Sequence, residues 1–152
     1  MDFKRLGNGD LVAAGGGLLL LISLFLNWFG VSGNENLCGS GKVDCTGFQT
    51  FTILDILFVL AAFAPLILVW IVIRGHELSW PPGEVTMIVG AVATTLILYN
   101  GIVDRVGENR SFVSLEIGWY VGLLGALMII AGGAISQITR GGVRRRPPGQ
   151  FT

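Results

Sequence analysis

Four stretches without a formal charge dominate this sequence, at 11–34, 56–73, 85–103 and 117–139. Each is roughly 18–24 residues long, the length a helix needs to cross a hydrocarbon core of about 30 Å. Few folds are open to such a chain, because in lipid every backbone polar group must find its partner within the protein. A soluble bundle is the competing fold, and it needs polar faces at the helical period; these stretches are apolar all round. Composition agrees. Of the 152 residues 52% are hydrophobic and 13% charged, against a usual charged fraction of about 25%.

The expected architecture is an all-α membrane protein, with four transmembrane helices in an antiparallel bundle. Spans are predicted near 11–30, 54–73, 85–103 and 117–138, within one membrane domain over 1–140. A disordered, basic tail is expected at 141–152. A cleaved signal peptide is the alternative for the first stretch, since Lys4 and Arg5 precede it. The stretch is long and no Ala-x-Ala site follows it, so a retained span is expected.

The bias of Lys and Arg between loops sets the orientation. Lys4, Arg5, Arg74, Arg140, Arg144, Arg145 and Arg146 fall on the side of the termini, against Lys42, Arg105 and Arg110 on the other. That predicts an inner-membrane protein with both termini in the cytoplasm. Trp28, Phe29, Phe48, Phe51, Tyr99, Trp119 and Tyr120 then lie near the outer ends of spans, and Trp70 and Trp80 near the inner ends. They read as two interfacial aromatic belts.

The first outer loop holds the two cysteines, Cys38 and Cys45. In an extracytoplasmic loop such a pair is expected to form a disulfide, with two free thiols as the alternative. The spacing is not Cys-x-x-Cys, and further metal ligands are absent from the loop. His76, the sole histidine, has no partner at ligand spacing and reads as a solvated loop residue.

The halves are faintly alike, as two repeated helical hairpins would be. Gly9-Asp10 and Gly83-Glu84 open the first and third spans, and Asn27 and Asn100 lie near their outer ends. Corresponding spans run the same way, so a repeat would be parallel, about an axis along the membrane normal. Asp10, Asp55, Glu84 and Glu116 each stand at a predicted helix start. A negative charge there meets the positive end of the helix dipole, worth about 0.3–1 kcal/mol. Capping is the first reading of Asp55 and Glu116, and an ion or partner contact the second.

Gly118, Gly122, Gly125, Gly132 and Gly133 form a stripe along the fourth span, and Gly15-Gly16-Gly17 lies in the first. Small residues let helices in lipid approach closely. The stripe serves internal packing or an oligomer. No nucleophile with a base, paired metal ligands or phosphate loop is present, so no catalytic residue, metal or cofactor is expected. Ser23, Thr94 and Thr95 are the polar residues at depth, expected to bond carbonyls of their own helices. With zero formal net charge, nucleic acid is not an expected partner; the lipid bilayer is, with a membrane protein or a second copy besides.

Asp2-Phe3-Lys4-Arg5-Leu6, Asn27-Trp28-Phe29, Pro81-Pro82-Gly83 and Ser114-Leu115-Glu116-Ile117-Gly118 together resemble a family of small four-helix actinobacterial membrane proteins. The resemblance implies location and fold, and no activity. The topology is also similar to that of claudins, with a Trp ahead of two cysteines in the first outer loop. The Gly-Leu-Trp element is absent and the loop is too short for a claudin's extracellular sheet, so that fold is not expected. The expected role is a non-enzymatic scaffold or accessory subunit acting through helix contacts and a disulfide-closed outer loop. A small transporter or channel, using Asp55, Glu116, Asp104 or Arg105, is the alternative.

Overall fold

A computed structural model describes residues 4, 6–31, 44–50, 53–76, 79–103 and 113–141. The elements run α1 (Asn8–Phe25), β1 (Asn27–Val31), β2 (Asp44–Thr46), α2 (Gly47–Thr50), α3 (Leu54–Arg74), α4 (Pro82–Leu98), a π-helical turn (Tyr99–Val103), β3 (Val113–Leu115) and α5 (Ile117–Gly141). Four helices are long and apolar enough to cross a membrane: α1, α3, α4 with its π turn, and α5. They pack on one another as the expected bundle. The start of α1 meets the end of α5, and this side of the bundle is here the terminal end. The opposite side is the distal end. The predicted tail beyond Gly141 lies outside the described residues.

The bundle is organised around α1 and α5, which share its most extensive contact. Both helices carry small residues at seven-residue intervals, Gly9, Gly16 and Ser23 on one and Gly118, Gly125 and Gly132 on the other. A seven-residue repeat keeps one seam facing a partner that crosses at a shallow left-handed angle. The seams meet. A Cβ on Gly16 would lie 2.6 Å from the Gly125 carbonyl oxygen, and one on Gly125 would lie 2.7 Å from that of Gly16. Gly132 stands in the same way against Gly9 and Ala13. The glycine stripe therefore faces inward, and at Gly125 and Gly132 it is backbone against backbone.

The other two helices flank this pair. Gly17 of α1 receives Ala62 and Pro65 of α3, while Gly83 and Gly90 of α4 meet Gly133 and Ile130 of α5. Contact between α3 and α4 is slight. A two-fold repeat would make that contact equivalent to the one between α1 and α5. The packing is not symmetric, because α3 has no glycine between Leu54 and Arg74 to offer α4.

One predicted span ends early, and another reaches its expected end through a π turn. The first helix stops at Phe25, because Leu26 is extended and the chain continues as β1. The third loosens into its π turn at Tyr99–Val103. Side chains take two of its carbonyls: Asn100 Nδ2 donates to Leu96 O at 2.9 Å and Trp119 Nε1 to Ile97 O at 3.1 Å. Gly101 leaves the space that the Trp119 ring fills. At the terminal end α3 closes on Gly75, whose φ of 75° is the left-handed conformation that favours glycine.

A sheet accompanies the helices, which the all-helical expectation did not include. Its strand order is β2-β1-β3, both pairs antiparallel. The first distal loop alone is short for a sheet, and the structure draws its third strand from the second loop.

Gly125→Ala is expected to lower the unfolding midpoint in detergent, with a cost of about 1–3 kcal/mol for overpacking a close contact. Gly15→Ala serves as the control, since its Cβ would meet Met128 at an ordinary 3.6 Å. Circular dichroism melts of both variants check this; equal melting would refute the seam.

Candidate functional site

The distal end concentrates the organised non-helical structure. β1 pairs Phe29 with Cys45 and Gly30 with Asp44 on one side, and Phe29 with Leu115 on the other. Register with β2 slips between Asn27 and Phe29. In a regular strand neighbouring side chains point to opposite faces, so a slip of this kind re-aims one of them. Trp28 and Phe29 are both fully buried.

Trp28 links the sheet to the bundle. Its indole Nε1 donates to Ser23 O at 2.7 Å, and Leu26 N donates to the same carbonyl at 3.0 Å, so the last turn of α1 is capped twice. The ring packs against Phe58 of α3 at 5.5 Å between centroids. Space for it comes from α5: a Cβ on Gly118 or Gly122 would lie 2.6 or 2.9 Å from the indole. The backbone of Trp28 also accepts from Glu116 N at 2.9 Å. One residue thus touches α1, α3, α5 and the turn after β3.

This corrects the reading of the outer aromatics. Trp28, Phe29 and Trp119 belong to the core, where the two indole N–H groups bond backbone carbonyls. Phe48, Tyr99 and Tyr120 at the distal end and Trp70 and Trp80 at the terminal end are exposed, as belt residues are. Phe51 lies outside the described residues.

The helix-start acids divide. Asp10 is a satisfied buried carboxylate: it accepts from Gly7 N at 3.0 Å, Ser136 Oγ at 2.6 Å and Arg140 Nη2 at 2.6 Å. It caps α1 as expected and also ties the start of α1 to the end of α5. Glu84 is exposed in the first turn of α4. Glu116 precedes α5; its carboxylate accepts from Ser114 Oγ at 3.3 Å, and its carbonyl accepts from Trp119 N at 3.2 Å. Asp55 is different. It is buried in the first turn of α3, and its Oδ1 has no hydrogen-bond partner. Asp55 and Glu116 do not form a hydrogen-bonded pair.

Among the polar residues at depth, Ser23 and Thr95 bond carbonyls of their own helix at 2.6 and 2.8 Å as expected. Thr94 Oγ1 is buried without a partner. Cys45 is fully buried on β2; Cys38 lies outside the described residues, as do Asp104 and Arg105, so the bridge stays an expectation. Among the described residues no group of three or more His, Cys, Asp and Glu is placed to hold a metal ion.

Sequence reasoning missed Trp28 as a tie and the pairing of Asp10 with Arg140. The first had a signal in Gly118 and Gly122, which lie near the outer end of the fourth span where a ring from the first could lodge. The second had one too. An antiparallel first and last helix bring an acid at one start and a base at the other end together.

No family model matches the chain, and no curated protein or solved structure matches it either.

Trp28→Phe, which keeps a smaller aromatic ring and removes the donor, is expected to cost at least the roughly 1 kcal/mol of one lost hydrogen bond. Trp28→Ala is expected to cost about 3–5 kcal/mol through the cavity it leaves. Urea titration in mild detergent separates the two; equal losses would mean that the ring contributes nothing beyond its hydrogen bond.

Proposed function

We propose that the chain is a non-enzymatic scaffold or accessory subunit of the plasma (inner) membrane, with both termini in the cytoplasm. The observation that carries this reading is the outward face of α3. Ile56, Leu60, Phe63, Ile67 and Trp70 are all exposed along it and follow one another at intervals of four and three residues. That spacing makes one continuous helical face; α5 presents one too, at Ile117, Tyr120, Leu124 and Leu127, but α3 is the least enclosed of the four spans. The glycine stripe is consumed within the bundle, which leaves α3, the least enclosed span, as the contact surface for a partner helix.

The distal sheet supports the same reading. Trp28 and the Glu116 turn fix it to the bundle, so it holds a constant position relative to α3. A disulfide between Cys38 and Cys45 would close the loop that leads into β2. Arg74 and Arg140 both stand at the terminal end, as the positive-inside rule asks of a cytoplasmic face. The resemblance to small four-helix actinobacterial membrane proteins adds no activity to this reading.

A photoreactive residue at Phe63 is expected to give a specific protein adduct in native membranes. The same residue at Leu127, exposed on α5, is expected to give none. Lipid adducts alone at both positions would overturn the scaffold reading.

One observation favours a small transporter as the second reading: the buried, unpartnered Oδ1 of Asp55. Intramembrane acids are costly and commonly mark ion or proton paths. Under that reading Asp55→Asn abolishes cation or proton flux in proteoliposomes with the melting curve retained. Under the scaffold reading the wild type shows no flux to lose.

A further inference from the structure

Beside the close approach of Gly83 to Gly133, where α4 begins and α5 ends, lies a cavity of about 240 Å³. Its wall holds Pro81, Gly83 and Glu84 from one side and Ser136, Gln137 and Arg140 from the other. We propose that this cavity binds a phosphodiester bearing a primary ammonium group, the headgroup of an aminophospholipid in the leaflet at the terminal end. The proposal is independent of the scaffold reading.

The charges decide the ligand class. Arg140 is tied to Asp10 through one nitrogen, Nη2, at 2.6 Å. A guanidinium has five N–H donors in a rigid plane, so the tie orients it and leaves donors for a phosphate. Arg140 is also partly open, with 36% of its side chain exposed. Glu84, exposed on the opposite wall, supplies the acceptor.

A simple anion fits poorly, because the carboxylates of Asp10 and Glu84 flank a single guanidinium. A simple cation meets that guanidinium. A zwitterion places its phosphate toward Arg140 and the Gln137 amide, and its ammonium toward Glu84, matching both. A primary ammonium donates hydrogen bonds to a carboxylate, which a quaternary one cannot do.

Size and depth point to lipid as the source. The cavity is smaller than the roughly 300–1,000 Å³ that drug-sized ligands occupy. It lies at the boundary of two candidate spans, Pro82–Val103 and Ile117–Arg140. Exposed Trp80 marks the same level, where amphipathic rings and headgroups meet. Below it the exposed side chains of Ile88 and Ile135 offer apolar surface to acyl chains.

The test is native mass spectrometry of the full chain, exchanged into an equimolar mixture of phosphatidylethanolamine, phosphatidylcholine and phosphatidylglycerol. The wild type is expected to retain phosphatidylethanolamine about tenfold over the other two, the worth of one charge-assisted hydrogen bond. Glu84→Gln, at an exposed position, is expected to bring phosphatidylethanolamine down to the phosphatidylcholine level. Arg140→Lys, which keeps the charge and loses the planar fork, is expected to weaken retention of all three lipids. Equal retention of the three lipids by the wild type overturns the proposal, and so does an unchanged preference in Glu84→Gln. Displacement of the lipid by an equal concentration of soluble glycerophosphoethanolamine overturns the membrane source. The wild-type competition decides the matter alone if either variant melts below the wild type.

Discussion

The close approach of α1 to α5 is the constraint on which the rest of this structure depends. Between apolar helices in lipid there is no hydrophobic drive to associate, and cohesion rests on dispersion and on weak polar contacts at short range. Glycine at the crossing lets one backbone rest on the other. Gly9, Gly16, Gly125 and Gly132 do this over one seven-residue interval on each helix. The remaining helices then take positions left to them, α3 against Gly17 and α4 against the second glycine face of α5.

Each end of this seam carries a different kind of tie. At the terminal end it is ionic, with Asp10, Ser136 and Arg140 forming a compact network in which the buried carboxylate finds three donors. A buried charge with that many partners is tolerated, whereas one without any is a cost. At the distal end the tie is aromatic, with Trp28 held between helices and its indole bonded to a freed carbonyl. Asp55, close to the distal end of α3, has no equivalent support on Oδ1. Within one molecule the same residue type is structural in one place and unsupported in another.

The bundle was legible in the sequence because bilayer thickness imposes a length that composition alone reveals. All four spans fall within a few residues of their expected places, and the one early end, at Phe25, lies where the Trp28 indole takes the carbonyl of Ser23. The sheet was hidden because its strands are three to five residues long, too short for alternation to register. Aromatics near helix ends serve a belt or a core equally well as letters; only the glycines opposite them tell the two apart. The direction of the glycine stripe was not legible, because seven-residue intervals suit an internal seam and an oligomer alike. Nor was the cavity by Arg140, because residues from loop, α4 and α5 make it jointly.

The order in which these helices are made gives the central pair a particular history. A ribosome delivers α1 first and α5 last, and synthesis runs at about 5–20 residues per second. For several seconds α1 stands in the bilayer with its glycine groove open and its intended occupant unmade. In the finished fold α5 alone occupies that groove, while α3 lies beside it against Gly17. Assembly therefore waits for the final span, and a nascent chain halted before α5 exposes the seam on which the fold is built. Membrane quality control has a defined surface to read in such a chain, a bare strip of backbone where a helix should lie.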